Sequence, residues 1–385
     1  MLPGGNQIFP QVPKFFNPEG TDTITKERLV HSEETVRDVS GMWNLNRIRY
    51  PEIHDWYFDT AWSFLWRPEE ISMAEDRVQF ERLEDQDLKF AVENLLSFLQ
   101  YMDSIVPTND ISLLMGIPEY EIRRTLMVHQ FVEGGIHTYS YQYILKSLFG
   151  EDKKKIDEVY RRSFTYGPLA ERNKKLTECF QDLLEILPYK LLGIVSQEAF
   201  ERALFRSMIQ DYLIEGVVFY TGFNFFHLVK TQYKDEEGNS LLSGTNQNIL
   251  LIRRDENTHI PLFSKILNTM RERGIYFNED EVYEIADRSA QADIAFYKEV
   301  VGDRIKGMSS RAIETYIKYL TDKRLKELGL RPIYGVTENP YEQLEEVVFK
   351  ETSEFRKTGI FETGNIDYQH STDVDLSVED VLDEI

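Results

Sequence analysis

The sequence predicts an all-α fold, and three observations predict it. Almost no stretch alternates apolar and polar residues with the two-residue period of a half-buried strand, whereas long stretches repeat apolar residues along one helix face. Two distant segments, Glu133-Gly134-Gly135-Ile136-His137 and Glu256-Asn257-Thr258-His259, each set a carboxylate and a histidine three or four residues apart, on one side of a helix. Two further carboxylates, Asp103 and Glu215, stand inside otherwise apolar helical stretches. Helices that converge such side chains make a carboxylate cage, so the expected fold is a ferritin-like helical bundle with a buried dimetal-carboxylate site.

Residues 1–55 carry scattered Pro, Gly and Asn with little periodicity and read as an irregular N-terminal arm. A helical region begins near Tyr57 and is interrupted at Arg67-Pro68. From Gln86 to Val106 the apolar residues Phe90, Leu95, Phe98, Leu99 and Met102 recur at helical spacing, and Pro107 is expected to end the run. After Pro118 a second long helix is expected over 119–149, closed by Gly150. Residues 153 to about 187 read as a more exposed helix, and 197–230 as another long one before the polar loop 235–239. The next helix spans roughly 246–273 with a bend at Pro261, and two shorter helices follow near 279–301 and 311–328. The ferritin-like helical domain is thus expected over 56–330, with 331–385 a C-terminal extension.

Composition excludes several classes. At 385 residues the chain can bury a substantial core. Its 44 basic against 66 acidic side chains argue against a general nucleic-acid binder, whose phosphate contacts need clustered Lys and Arg. A single cysteine, Cys179, excludes an intrachain disulfide framework and all-cysteine metal sites. No apolar run approaches the length needed to span a bilayer and no basic-then-apolar signal pattern opens the chain, so a soluble cytoplasmic protein is expected. The last 25 residues hold eight acidic side chains and no Lys or Arg, the composition of a segment mobile when free. Val374, Leu376, Val378, Val381, Leu382 and Ile385 make that tail either a docking peptide or a merely solubilising extension.

The metal reading rests on the whole constellation. A single Glu-x-x-His often arises by chance, and a lone buried histidine is more often hydrogen-bonded core than ligand. Buried carboxylates without partners are costly, however, and two divalent cations would neutralise several at once. Oxygen-rich ligation with two imidazoles suits iron or manganese. Phe219 and Phe223 lie four and eight residues after Glu215, and Ile252 lies four before Glu256, so each shares a face with its carboxylate. Tyr141 lies one turn beyond His137, where its phenol points into the same pocket. The aromatic stripe reads equally as plain core, and Tyr141 as a hydrogen-bonded core tyrosine were the ligands absent.

At this point the residues resemble the small, radical-generating subunit of class I ribonucleotide reductase. The resemblance is carried by Phe64-Leu65-Trp66-Arg67-Pro68-Glu69-Glu70, Tyr101-Met102-Asp103-Ser104, Ile136-His137-Thr138-Tyr139-Ser140-Tyr141, Glu215-Gly216-Val217-Val218-Phe219-Tyr220 and Arg254-Asp255-Glu256-Asn257-Thr258-His259. It implies metal ligation by Asp103, His137, Glu215, Glu256 and His259, and a radical at Tyr141 in a pocket of Phe219, Phe223 and Ile252. It further implies radical transfer along Trp66, Asp255 and the tail residue Tyr368 to a large subunit on which the tail's end docks. The family usually forms homodimers. One departure is that the family's glutamate three residues before the first histidine is here Gly134. Glu133 lies one residue further back, a rotation of about 100° in a regular helix. It reaches the metals if the two glycines let the helix widen into a π-bulge; otherwise the site has five protein ligands, binds metal weakly at one position, or has lost activity.

The resemblance implies a ribonucleoside-diphosphate reductase small subunit whose two metals, iron first and manganese second, react with an oxygen-derived oxidant and oxidise Tyr141. One cysteine cannot supply the several thiols that reduction consumes, which fits a separate catalytic partner. The rivals are a ferritin-like oxidase acting directly on a small substrate, which leaves the relay residues without purpose, and a non-catalytic homologue with a degenerate site, for which Gly134 is the motive.

Overall fold

The computed structural model describes residues 45, 48, 50–117, 120–272 and 274–354. Most of the expected N-terminal arm, and the acidic tail with Tyr368, lie outside the described residues. Helices dominate: α1 (Pro51–Ser63), α2 (Ala74–Arg82), α3 (Gln86–Gly116), α4 (Tyr120–Phe131), α5 (Thr138–Phe149), α6 (Lys153–Thr165) and α7 (Gly167–Leu191). They continue with α8 (Gln197–Leu213), α9 (Phe219–Gln232), α10 (Ser243–Glu272), α11 (Glu279–Val300), α12 (Ser310–Glu327) and α13 (Glu342–Glu354). Among the described residues the only β pairing is the bridge between Lys234 and Ser240.

Helix starts follow side-chain chemistry. Asp85 accepts from the Leu88 N–H at 2.9 Å to open α3. Ser196 does the same for Ala199 at α8 and Ser309 for Ala312 at α12, each cap worth about 1 kcal/mol. The expected 153–187 helix is instead two helices, because the chain turns extended at Tyr166 and Pro168 opens α7 within its first turn.

Pro107 does not end α3, contrary to expectation; the helix runs through it to Gly116. Proline removes the N–H that would bond the carbonyl of Asp103. That carbonyl instead accepts from the Thr138 hydroxyl at 2.8 Å, and the Pro107 carbonyl accepts from Gln130 Nε2 at 3.1 Å. The neighbouring helix thus satisfies what proline leaves open. Pro261 likewise lies within α10.

The α8–α9 rod corrects another expectation. Gln197–Gln232 is long and apolar enough to cross a bilayer, yet its apolar stretch is fully buried inside the bundle. It is a core helix here. Around it α3, α4–α5 and α10 bring their apolar faces together, with α7 and α11 packed outside. Phe98, Phe219, Phe296 and Tyr297 pack ring against ring, and the buried Arg172 guanidinium sits 3.7 Å over Phe98 while pairing with Asp293. Part of the 331–385 extension is held against this bundle. Asp322 accepts the backbone N–H groups of Ile333, Tyr334 and Val336, and Arg253 pairs with Glu345 of α13 at 3.0 Å.

Candidate metal centre

The rod that carries Glu133 and His137 changes its winding at that point. Residues Val132–His137 form a π turn, with the Thr138 N–H reaching back five residues to the Glu133 carbonyl. Gly134 and Gly135 offer little resistance to such winding. A Cβ at Gly134 would stand 3.3 Å from Pro107 Cβ, so glycine also lets the kinked α3 come close. The wider turn puts Glu133 on the same side as His137, its Oε1 2.9 Å from His137 Nδ1, and both side chains are fully buried.

A second π turn, Ile214–Val218, carries Glu215. Here the buried Arg324 Nε donates to the Gly216 carbonyl at 3.0 Å, and a Cβ on Gly216 would fall 2.7 Å from that nitrogen. In the first π turn the Thr138 hydroxyl, which follows the turn in the same rod, lies 3.0 Å from the Glu133 carbonyl.

The four rods converge. Glu133 Oε1 lies between the two imidazoles, 2.9 Å from His137 Nδ1 and 3.3 Å from His259 Nδ1. Glu256 bridges them a second time, at 3.2 Å from His137 and 3.0 Å from His259. Asp103 approaches His137 at 3.9 Å and Glu215 approaches His259 at 3.3 Å. All six are buried. Among the described residues, five of the six join His129 in two groups of donor atoms that share Glu133: Asp103, Glu133 and His137, and His129, Glu133, Glu215 and His259, with Glu256 outside both. Within each group they lie within 4.8 Å of one another.

The donors fit a pair of hard-to-borderline divalent cations. Both oxygens of Asp103 and of Glu133, one each of Glu215 and Glu256, and His259 Nε2 lack a hydrogen bond of regular geometry despite complete burial. Native proteins rarely leave buried carboxylate oxygens in that condition. Burial, reinforced by the charges of Glu133 and Glu215, pushes the Asp103 and Glu256 carboxyls well above the usual range. Burial also acts upward on Glu215, but the surrounding Glu256, His129 and His259 side chains hold it well below. Cations at the two positions would satisfy these oxygens together.

Tyr141 is fully buried one turn past His137, its hydroxyl beside the Asp103 carboxylate but without a hydrogen bond of regular geometry. Burial, then the charges of Asp103, Glu256 and Glu133, raise its phenol well above the ordinary value. Phe219, Phe223 and Ile252 belong to the same buried apolar cluster, with Phe219 and Phe223 stacked at 5.8 Å. The other tyrosines nearby differ: Tyr139 is exposed and donates to Glu69, and Tyr220 donates to Asn257 at 2.6 Å.

From His137 a continuous polar path leads outward. Asp255 Oδ2 lies 3.2 Å from His137 Nε2 and accepts from Trp66 Nε1 at 2.8 Å. Its other oxygen is held by Arg254 at 3.0 Å. Burial raises the Asp255 carboxyl, but Arg254, His137 and Trp66 together keep it below its usual value. It is therefore an anion at neutral pH.

Three residues escaped sequence reasoning. His129 sits four before Glu133 and so on its face, and Asp110 lies seven after Asp103 on α3; that spacing was the available signal. Tyr57 of α1 brings a second buried, unpartnered phenol, its ring 6.0 Å from His259.

The bundle and the paired donor groups define a ferritin-like dimetal-carboxylate protein. The family described as ribonucleotide reductase, small chain, matches residues 42–340, and the chain belongs to it. A ribonucleoside-diphosphate reductase subunit beta from Treponema pallidum is 29% identical over 364 residues, spanning 93% of this chain and 95% of that one. The ribonucleotide reductase R2 subunit from Clostridium botulinum superposes with a TM-score of 0.70 at 27% identity, covering 85% of this chain and 99% of that one. A dimanganese(II)-NrdF from Streptococcus sanguinis shares the fold at a TM-score of 0.60 and 18% identity, over 80% of this chain and 98% of that one.

Proposed function

We propose that the chain is the radical-generating small subunit of a class I ribonucleoside-diphosphate reductase. The observation that carries this reading is the pair of fully buried donor groups sharing Glu133 beside the enclosed Tyr141. Asp103, Glu133, His137, Glu215, Glu256 and His259 would hold two ions, iron by preference and manganese as the second choice. When bound, those ions would couple an oxygen-derived oxidant to one-electron oxidation of Tyr141.

The protein's own groups do the rest. Tyr141 gives up an electron and its phenolic proton, for which the neighbouring Asp103 carboxylate is the base, and the apolar wall of Phe219, Phe223 and Ile252 keeps water and reductants from the neutral radical. His137, Asp255 and Trp66 form the inner part of the path by which an electron returns to Tyr141. The ionised Asp255, pinned by Arg254, orients both the imidazole and the indole. The outer part is Tyr368 on the tail, and the recipient is a large subunit carrying the thiols that this chain lacks. The exposed apolar side chains Trp62, Met127 and Phe131 on the paired helices α1 and α4 support a homodimer. A cytoplasmic setting belongs to the same proposal, and the apolar α8–α9 rod, covered by the other helices, needs no bilayer.

Metal analysis with electron paramagnetic resonance after aerobic loading tests the proposal. Two ions per chain and a tyrosyl signal are expected. Protein that takes up no metal and yields no radical would leave the rival of a non-catalytic homologue standing.

A further inference from the structure

His129 is not among the residues that the sequence pattern selected, yet it is placed as a ligand would be. It lies on α4 one turn before the π turn, with no part of its side chain exposed. Its Nδ1 is 2.7 Å from Asp110 Oδ2 on α3. Its Nε2 faces inward, 3.5 Å from Glu215 Oε1, and has no hydrogen-bond partner of regular geometry. The ring meets the His259 ring edge-on, centroids 4.4 Å apart, and Phe263 closes its other side at 5.1 Å.

Three facts separate this from a core histidine. Its free nitrogen and the donor atoms of Glu133, Glu215 and His259 all lie within 4.8 Å of one another. The carboxylate at Nδ1 fixes the tautomer that leaves the Nε2 lone pair pointing inward, the arrangement that orients metal-bound imidazoles. Asp110 belongs to a wider buried polar region: the adjacent Asn109 donates to Asp211 at 3.0 Å and accepts from Ser207 at 2.7 Å.

We propose that His129 is a third imidazole ligand of the dimetal site, binding through Nε2 at the position it forms with Glu133, Glu215 and His259, with Asp110 as its positioning residue. The inference rests on the dimetal reading above. It makes the centre unequal. One position has two imidazoles with Glu133 and Glu215; the other has His137 with Asp103 and Glu133, and Glu256 lies between the two. Nitrogen donors favour later divalent ions of the first transition row and carboxylates favour manganese and magnesium. The two positions should therefore differ in affinity.

The direct test is a crystal structure of the full chain loaded with Mn²⁺, using the anomalous signal to locate the ions. The expected result is two peaks, one within bonding distance of His129 Nε2. Two peaks with neither bonded to that nitrogen would overturn the ligand assignment while leaving the dimetal reading intact. No peak in the pocket would overturn both. In solution, His129→Gln should weaken one of two Mn²⁺ equivalents at least about tenfold and leave the other unchanged, and Asp110→Asn should weaken the same equivalent about 10–100-fold. Two unaltered binding steps in folded His129→Gln protein would also overturn the proposal.

Discussion

The Thr138 hydroxyl donates to the Asp103 carbonyl at 2.8 Å, the carbonyl that Pro107 deprives of its helical donor. The same hydroxyl lies 3.0 Å from the Glu133 carbonyl in the π turn. One side chain thus joins the two backbone irregularities that aim Asp103 and Glu133 at a common point. Thr138→Val removes that donor without changing shape, so it should cost about 1–3 kcal/mol. Thermal denaturation measures the cost, and Mn²⁺ titration should show weaker binding as Asp103 and Glu133 lose their alignment. Unchanged stability and binding would mean that the hydroxyl is dispensable to both.

The π turn at Val132–His137 has the form of one residue inserted into a helix. Deleting Gly134 should restore regular winding, leave Glu133 three residues before His137, and keep the flanking helices in register. The shortened chain is expected to bind two metal ions and to melt no lower than the parent. Metal content and a denaturation curve check this. Loss of both ions would show that the bulge itself is needed to place the donors.

The two buried phenols should behave differently. Tyr141→Phe should retain metal content and lose the tyrosyl signal after aerobic loading, because Tyr141 lies one turn from His137 in the apolar pocket. Tyr57→Phe should keep that signal, since its ring lies against His259, at 6.0 Å. Electron paramagnetic resonance of the two variants decides the assignment.

Much of this site was legible in the sequence because helical spacing places side chains before any tertiary contact is known. Asp103, His137, Glu215, Glu256 and His259 converge from their positions in apolar runs. What could not be read depends on neighbours. Pro107 looked like a stop because the donor that rescues its helix, Thr138, comes from another rod. The direction of Glu133 depended on whether two glycines would accept a wider turn, and Pro107 packed against Gly134 bears on that choice. His129 was on the right face but gave no distinguishing pattern until Asp110 and Glu215 came within reach. The rod 197–232 is longer and more apolar than the sequence reading allowed, because its spacing was read as helix faces rather than as one continuous run, and the other helices cover it.

Trp66 and Asp255 supply a test that separates radical formation from radical use. Trp66→Phe removes the indole N–H that donates to Asp255 at 2.8 Å, while leaving His137 and the donor groups in place. Metal content and the Tyr141 signal should persist, and nucleotide reduction with the large subunit should collapse. Asp255→Ala should do more, weakening metal binding about 10–100-fold as well, because it also frees His137 Nε2. A Trp66→Phe protein with full turnover would remove the indole from the path.

The tail provides the last test. The final 25 residues carry eight acidic side chains and no Lys or Arg, so few of their groups are apolar. The apolar side chains near Leu382 and Ile385 are the ones a groove on the large subunit would take, which concentrates affinity in a short peptide. Deleting residues 378–385 should therefore abolish nucleotide reduction while leaving metal content and the Tyr141 signal unchanged. Tyr368→Phe should fail differently, binding the large subunit with normal affinity yet passing no radical. Affinity measured beside turnover separates the two effects, and full turnover from the truncated chain would reduce the tail to a solubilising extension.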